Sequence, residues 1–193
     1  MTPEQVRALL EDSGALLTGH FRLSSGRHSD LYVQKFRVFE RPEITRALGA
    51  ALADLFGDFA AVASPALGAV VLGFSVALAR GARSVFAERV DGELKLRRGF
   101  ALGAGERVLV VEDVVTTGGS AREVVVLARR WGADVIGVGA LLDRSEEEVE
   151  LGAPLSSLLR LEARSWEPNE CPLCAAQAPL EDPGSRRTSP SGR

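Results

Sequence analysis

The stretch VLVVEDVVTTGGSAREVV, residues 108–125, decides the fold. Its four leading apolar residues predict a short strand of the kind that is buried in parallel sheets. Glu112 and Asp113 follow, then a loop of Val, Thr, Gly and Ser over residues 114–120, and then an amphipathic helical pattern. A glycine-rich loop between a strand and a helix directs backbone N–H groups and the positive end of the helix dipole at an anion. The stretch therefore predicts a phosphate site with two acids beside it.

The two acids narrow the choice of ligand. Two carboxylates would repel a phosphate unless they contact another part of the same ligand, such as sugar hydroxyls or a divalent cation. A ribose 5-phosphate satisfies both demands, with its phosphate in the loop and its hydroxyls at Glu112 and Asp113. Neither a P-loop nor a dinucleotide-binding fingerprint occurs in the sequence. The alternative is a glycine-rich turn with two exposed acids and no ligand.

On both sides of this stretch, strand patterns alternate with helical patterns. Strands are predicted at 31–38, 59–64, 107–112 and 134–143, helices at 42–56, 69–80 and 120–132, and a hairpin at Asp91-Gly92. Thr2, Pro3 and Gln5 predict a capped helix at the N-terminus. This alternation is typical of an α/β fold, an open, mainly parallel twisted sheet flanked by helices, whose ligands bind at the carboxyl ends of the strands.

Composition limits the class of protein. The length of 193 residues fits one domain, and the net charge of −3 gives no basic field for nucleic acid or anionic lipid. The uncharged run 59–79 reaches membrane-spanning length, but Ser64-Pro65 and Gly68 divide it into a strand and a helix. That helix is apolar nearly all round, which favours burial on several sides and a subunit contact. We expect a cytoplasmic protein with no membrane segment and no nucleic-acid partner.

The C-terminal part separates from the rest by composition. We expect one domain over residues 1–170 and a tail over 171–193 that is mostly disordered from Ala175 onward, because that part is poor in apolar residues. Cys171 and Cys174 form half of a four-cysteine zinc site, and the chain has no second pair. Two subunits could complete such a site only if their tails met, and the alternative is a pair of reduced thiols. His20 and His28 are expected in loops, without a metal.

The segment VLVVEDVVTTGGS, residues 108–120, resembles the phosphoribosyl-pyrophosphate motif of the type I phosphoribosyltransferases. Within that family, FRLSSGRHSDLYV (21–33) and LRRGF (96–100) are similar to segments of the orotate phosphoribosyltransferases, and the resemblance extends over about residues 1–165. It implies an N-terminal hood segment and a hairpin lid added to the sheet. It also implies Mg²⁺-dependent transfer of ribose 5-phosphate from phosphoribosyl pyrophosphate (PRPP) to orotate, in pyrimidine biosynthesis.

The resemblance also implies residue roles. Glu112 and Asp113 would hold the ribose hydroxyls, and Arg144 would bind the orotate carboxylate, with a surface salt bridge to residues 146–148 as the alternative. The pyrimidine edge would be read near Tyr32 and Val33, with Arg27 in the adjoining loop. The 5-phosphate loop comprises Val114, Val115, Thr116, Thr117, Gly118, Gly119 and Ser120, of which Thr116 would also approach the orotate. Mg²⁺ would be held mainly through the substrate, with no protein metal site.

The lid would be the segment ERVDGELKLRRG, residues 88–99, which in this family reaches the active site of the neighbouring subunit of a homodimer. Its candidate catalytic cations are Arg89, Lys95, Arg97 and Arg98. The alternative is a solvated hairpin held by its own acids. The sequence departs from the common family pattern, because the lid has no histidine and the lysines expected near Ser24 and Gly68 are absent. Lys35 or the lid arginines could compensate.

Two other functions share this pattern. A purine or xanthine phosphoribosyltransferase would have the same phosphate loop with a different base pocket, and Arg144 together with residues 21–33 favours orotate over it. A nucleotide-sensing, RNA-binding regulator on the same fold would need a basic face, which the acidic balance of charges does not favour.

Overall fold

The computed structural model describes residues 1–23, 25–162 and 164–183. Its centre is a six-stranded sheet of order β5-β4-β3-β6-β7-β8, in which only β5 runs antiparallel to its neighbour. The strands are β3 (Ala61–Pro65), β4 (Arg83–Val90), β5 (Glu93–Leu96), β6 (Arg107–Val115), β7 (Asp134–Asp143) and β8 (Leu155–Arg160). The fold class predicted from the alternating pattern is confirmed.

Helices cover both faces of this sheet. The main helices are α1 (Pro3–Asp12), α3 (Pro42–Ala53), α4 (Val70–Arg80) and α5 (Gly119–Arg130). One apolar core lies beneath α1, α3 and α4, and a second beneath α5. The central strand β6 supplies both, because its alternate residues point to opposite faces: Leu109 and Val111 enter the first core, Val108 and Val110 the second. This burial on both faces fixes where β6 ends, and hence where its acids lie.

The uncharged run 59–79 folds as predicted, into β3, a loop and α4. No helix in the described part of the chain is long and apolar enough to cross a membrane. Leu72, Val76 and Ala77 of α4 face the core, whereas its opposite side leaves Val71, Phe74 and Leu78 between 42% and 61% exposed. These three residues form one apolar stripe at helical spacing.

The second sheet is three-stranded and is called the hood, comprising β1 (Leu16–Arg22), β2 (His28–Val33) and β9 (Ser165–Trp166) in the order β1-β2-β9. The strand predicted over 31–38 is wrong at both ends. It begins at His28, and after Val33 the chain forms α2 (Phe36–Phe39), which buries Val38 and Phe39 as one helical turn. His20 and His28, expected in loops, are buried within β1 and β2.

The tail differs from expectation over its described part. A 3-10 helix at Pro168–Glu170 leads into the short helix α6 (Pro172–Ala175), and the chain then returns to β1. Arg22 N–H donates to Glu181 O at 2.8 Å, and Glu181 N–H donates to His20 O at 2.8 Å. The described part of the tail therefore returns to the hood, where the backbone of Glu181 pairs with the edge of β1. The remainder of the predicted disordered tail, 184–193, lies outside the described residues, as does Ser24.

Candidate active site

The predicted phosphate loop lies at the carboxyl end of β6. Gly118 caps α5 with φ 73°, a left-handed conformation that favours glycine, and a Cβ there would collide with Leu151. The first hydrogen bond at this end of α5 runs from Arg122 N–H to Gly118 O, so the N–H groups of the preceding turn have no helical acceptor. Thr116, Thr117, Gly119 and Ser120 are exposed around them. The loop therefore forms an open cradle of donors at the positive end of a helix.

The two acids at the mouth of this cradle are both buried, with Glu112 8% and Asp113 3% exposed. Each uses one oxygen to fix the strand end: Glu112 Oε1 accepts from Asp113 N–H at 3.1 Å, and Asp113 Oδ1 accepts from Val114 N–H at 2.7 Å. Burial and the adjacent Asp113 carboxylate raise the pKa of Glu112 to about 8, against a smaller opposing effect of Lys35. The pair is therefore an acid site kept away from solvent, unlike two exposed acids on a turn.

Asp113 has a cationic partner. Lys35 Nζ, from the turn between β2 and α2, lies 2.5 Å from Asp113 Oδ2. The loop after β3 packs directly on this ion pair, because a Cβ added to Gly68 would collide with Asp113 Oδ2 and lie 2.5 Å from Lys35 Nζ. In the same loop the Ala66–Leu67 peptide bond is cis. Three segments distant in sequence, at residues 35, 68 and 113, thus meet at one point of the site.

Arg144 follows the neighbouring strand β7 and lies beside the cradle. Its backbone N–H donates to Val115 O at 2.8 Å, and Asp143 fixes the turn by accepting from Ser145 N–H and Oγ–H at 2.9 and 2.6 Å. Its guanidinium Nε is buried without a hydrogen-bond partner. Burial lowers the pKa of Arg144, while Asp30 of the hood acts in the opposite direction. Across the described residues Arg144 forms no salt bridge, so the predicted alternative partners at 146–148 do not hold it.

The hood brings Tyr32 and Val33 to the end of β2. They pair with Leu17 and Leu16 of β1 on one side, whereas β9 pairs only with His28 and Ser29 on the other. Among the described strands, none therefore pairs with the far edge of β2 from Leu31 to Val33, where Leu31 N–H donates to Ser29 Oγ at 3.2 Å.

Arg27, grouped with Tyr32 and Val33 by the sequence, is committed elsewhere. Its guanidinium donates to Ser165 Oγ, to Ser165 O and to Glu167 Oε1, at 3.1, 2.7 and 2.6 Å. These contacts hold β9 against the loop that precedes β2. They would have to break for Arg27 to bind orotate.

Comparison with known proteins assigns this arrangement to a family. The model of the phosphoribosyl transferase domain matches residues 40–174. The orotate phosphoribosyltransferase of Thermotoga maritima is 50% identical over 183 residues, which cover 94% of this chain and 98% of that protein. The chain belongs to the orotate phosphoribosyltransferase family. The corresponding protein of Caldanaerobacter subterraneus subsp. tengcongensis is 46% identical over 189 residues, covering 97% of this chain and all of that one.

Solved orotate phosphoribosyltransferases share the fold. The Aeropyrum pernix structure has a TM-score of 0.69 and 26% identity, and it covers 81% of this chain and 94% of its own. A Mycobacterium tuberculosis structure in complex with 5-phospho-α-D-ribosyl 1-diphosphate has a TM-score of 0.63 and 25% identity, covering 82% of this chain and 97% of its own. The family and the pentosyltransferase class expected from residues 108–120 are confirmed.

The hairpin that the sequence assigns to the orotate phosphoribosyltransferase lid is formed by β4 and β5, with Asp91 and Gly92 at its turn. Three of its four candidate cations have carboxylate partners within this chain. Arg89 donates to both carboxylate oxygens of Glu123 on α5 at 3.0 Å, and Arg98 donates to Glu88 at 2.8 and 2.9 Å. Lys95 lies 3.7 Å from Glu93, and Arg97 is exposed. Exposed ion pairs of this kind contribute little to stability, so they do not prevent the hairpin from moving.

Two side chains at the candidate site have no specific assignment from the sequence. The sequence indicates Lys35 only as a substitute for the missing lysines, and it indicates no role for Asp30. Lys35 lies inside the predicted strand 31–38 but after the end of the observed strand β2, and it has no motif of its own, so only the fold reveals its contact with Asp113. Asp30 has a buried Oδ1 without a hydrogen-bond partner, like the Nε of Arg144. Asp30 acts on Arg144, whose pKa it raises against the effect of burial.

The raised pKa of Glu112 predicts a pH-dependent stability. Between about pH 4.5, where the carboxyl ionises in the unfolded chain, and pH 8, the folded state holds a proton that the unfolded state has lost. The free energy of unfolding therefore falls with rising pH in that window, by up to about 1.4 kcal/mol per pH unit. Glu112→Gln removes this dependence. The melting temperature of the variant relative to the parent should rise steadily from pH 5 to pH 8.

Thermal unfolding at four pH values without ligand measures this difference. Glu150→Gln, at an exposed glutamate, is the matched control and should track the parent. A difference between Glu112→Gln and the parent that stays constant with pH would show that Glu112 ionises normally in the folded protein.

Proposed function

We propose that this chain transfers ribose 5-phosphate from PRPP to orotate, giving orotidine 5′-monophosphate and pyrophosphate. One observation carries the proposal: a buried acid pair joins an anion cradle, and an unpartnered guanidinium lies on the adjacent strand end. PRPP has a terminal phosphate and vicinal hydroxyls, and orotate is a base that carries a carboxylate. The cradle offers donors to the phosphate, the acid pair offers acceptors to the hydroxyls, and the guanidinium offers a cation to the carboxylate of orotate.

The cradle and the acids would position PRPP. Residues 116–120 would surround the 5-phosphate with N–H groups and the hydroxyls of Thr116, Thr117 and Ser120, while Glu112 and Asp113 would accept from the ribose 2- and 3-hydroxyls. Val114 N–H already donates to Asp113 Oδ1, so it is not available to the phosphate. Hydroxyl donors favour the charged form of a carboxylate, so binding would draw the Glu112 proton off. Fixing the phosphate and both hydroxyls leaves the anomeric carbon with one orientation toward the base.

The reaction needs electrostatic stabilisation more than a nucleophile. The bond from the anomeric carbon to pyrophosphate breaks as the bond to the orotate nitrogen forms, with positive charge on the sugar ring and negative charge on the leaving group. The buried carboxylates would lie beside the positive ring. Arg89, Lys95, Arg97 and Arg98 would face the departing pyrophosphate once the lid exchanges its present carboxylate partners for it.

Mg²⁺ fits the acid pair by donor chemistry. Oxygen ligands suit this cation, and Asp113 Oδ2 is a buried carboxylate oxygen with Lys35 as its only cationic contact among the described residues. Glu112 and Asp113 are the residues that would lie beside the cation, which would supply positive charge against the negative charge that develops on pyrophosphate. Glu112 and Asp113 would orient the hydroxyls that share it, so the metal would be held mainly through the substrate.

Arg144 and the free edge of β2 would bind the base. The guanidinium would donate two parallel hydrogen bonds to the orotate carboxylate, and the backbone at Tyr32 and Val33 would pair with the pyrimidine edge. Asp143 holds the turn that directs Arg144 toward the cradle. A purine base has no carboxylate, so a purine substrate would offer the Arg144 guanidinium no anionic group to bind.

We also infer a homodimer that shares its lids. The exposed stripe of Val71, Phe74 and Leu78 on α4 supports a subunit contact, because such a stripe is costly to leave in water. The hairpin lies at the edge of the sheet, from which a neighbouring subunit can be reached. Each site would then draw its cradle from one chain and its lid cations from the other.

Arg144→Ala tests the base assignment. Loss of a charge-assisted bidentate contact costs about 1.5 to 3 kcal/mol, so the KM for orotate should rise roughly 10- to 150-fold while the KM for PRPP changes little. Pyrophosphate release is measured for the parent and the variant with orotate, uracil, adenine, hypoxanthine and xanthine. The parent should use orotate selectively.

Arg46→Ala, at an exposed arginine on α3, is the matched control and should behave as the parent. Unchanged saturation by orotate in Arg144→Ala would mean that another cation reads the carboxylate. A parent that prefers a purine would overturn the proposed function itself.

A further inference from the structure

All the histidines and cysteines of this chain meet in one place. The sequence contains two of each, separated by up to 154 positions, and the structure brings the four ligand atoms within 4.8 Å of one another. His20 comes from β1, His28 from β2, and Cys171 and Cys174 from the start and the body of α6. This group is called the His2Cys2 cluster. It lies in the hood, apart from the acid pair and the phosphate cradle.

Four of the six distances between ligand atoms in the cluster lie within about 0.4 Å of those in a tetrahedral zinc site. Zinc bonds of about 2.05 Å to nitrogen and 2.3 Å to sulfur place nitrogen pairs roughly 3.4 Å apart and nitrogen–sulfur pairs roughly 3.6 Å apart. His20 Nε2 and His28 Nδ1 are 3.0 Å apart. Cys171 Sγ and Cys174 Sγ lie 3.5 and 3.7 Å from His20 Nε2, and Cys174 Sγ lies 3.2 Å from His28 Nδ1. A small movement of the four ligand atoms away from the centre of the cluster would accommodate the ion.

The surroundings prepare the ligands. His20 Nδ1 lies 2.9 Å from the backbone carbonyl of Ala178, so it donates there and leaves the Nε2 lone pair facing the cluster. His20, His28 and Cys171 are 3% to 5% exposed, and Cys174 lies at the surface. A site with one outward ligand and a dry interior allows an ion to enter and then excludes water from it.

We propose that His20, His28, Cys171 and Cys174 bind one structural Zn²⁺ ion per chain. Binding takes two neutral imidazoles and two thiols and releases two protons, so the buried site has no net charge. Four protein ligands complete the tetrahedron and leave no open position, which is the arrangement of a structural site and not a catalytic one. Imidazole with thiolate in a tetrahedron favours zinc over Mg²⁺.

The role of the ion follows from what the ligands connect. The hood is small, and β9 adds only two paired residues to its two main strands. The two histidines are joined to the two cysteines by a loop of about 145 residues, and closing a loop of that length restricts the unfolded chain strongly. The ion would clamp the segment 171–183 onto β1 and β2, and so hold in place the strand that carries Tyr32 and Val33.

This site corrects the sequence-based expectation about the cysteine pair. By itself, the cysteine pair predicts that two further cysteines complete a zinc site. The chain lacks them, so they would have to come from the tail of another subunit. The two histidines of the hood supply the other half of the site within one chain. No local signal joins them to the cysteines, because the spacing is set by the fold of the whole domain.

The test uses the full chain, grown with zinc, purified with a thiol reductant, without chelator or a histidine tag. Elemental analysis should find about one Zn²⁺ per chain. Removal of the ion with a chelator should lower the melting temperature by more than about 5 °C, and added ZnCl₂ should restore it. The chelated protein titrated with CoCl₂ should show the visible bands of tetrahedral cobalt and a thiolate charge-transfer band, both saturating at one equivalent.

Two variants separate ligation from packing. Cys174→Ser changes an exposed position by one atom and should abolish stoichiometric zinc and the charge-transfer spectrum of the intact site. Leu173→Ala is the matched control, because it loosens the same helix without removing a ligand and should keep the zinc. A parent protein that contains no zinc, takes up none and gives no tetrahedral cobalt spectrum overturns the proposal and leaves a hydrogen-bonded cluster only. Retention of stoichiometric zinc by Cys174→Ser overturns the ligand set.

Discussion

Asp113→Asn should lower kcat by at least about 100-fold, the range seen when one preorganised polar group is removed from a reaction centre. The substitution keeps the size of the side chain and removes the charge that faces the ribose, while Lys35 retains its own. Because Lys35 is partly exposed, its ammonium can turn to solvent, so the fold should persist. Initial rates at saturating PRPP and orotate, with the melting temperature measured alongside, separate the loss of turnover from unfolding.

Asp134→Asn provides the matched control for this experiment. Asp134 is exposed at the start of β7, the opposite end of the sheet from the cradle, and its substitution should leave kcat unchanged. Near-normal turnover by a folded Asp113→Asn protein would remove Asp113 from the ribose site.

Mixing two inactive variants should restore activity if the lid is shared. The first carries Arg97→Ala with Arg98→Ala, and the second carries Asp113→Asn. A mixed dimer has one site with an intact lid and an intact acid pair, and its other site lacks both. With random exchange about half of the dimers are mixed, so up to roughly a quarter of the parent activity should return.

Subunit exchange must be confirmed by native mass spectrometry before the result is read. The control is a mixture of the lid variant with a second lid variant, Arg89→Ala. Neither chain then supplies an intact lid, so no mixed dimer has a complete site and the mixture should stay inactive. If exchange is complete and the first mixture remains as inactive as its parents, the lid acts on its own subunit or does not act in catalysis. The Arg89–Glu123 pairing within one chain would then describe its working position.

The central sheet was predictable because its signals are local. The apolar run of β6, the Asp91-Gly92 hairpin and the glycine-rich loop each depend on residues within a few positions of one another. The phosphate cradle was predictable for the same reason, since strand, loop and helix are consecutive. The helix of the 69–80 pattern begins at Val70 and ends at Arg80, capped by Gly81 at φ 64°.

The rest depends on contacts between distant segments. The Lys35–Asp113 ion pair joins residues 78 positions apart, and Lys35 lies beyond the end of its strand, where no periodicity predicts its direction. The contact of the tail with β1 depends on two hydrogen bonds at Glu181, which composition does not predict. Arg27 has the same residue type and loop position in either role, and only the presence of Ser165 and Glu167 shows where its donors go.

The close packing of Gly68 on the Lys35–Asp113 pair limits how this protein can vary. Each of the three positions is suited to the present size of the other two, so the effect of a substitution at one depends on which residues occupy the others. A methyl group at position 68 is tolerable only beside a shorter base or a shorter acid, and a shorter base leaves room that a glycine does not fill. Single changes in this triad are therefore poor guides to double ones, and new sequences for it must be sampled as combinations.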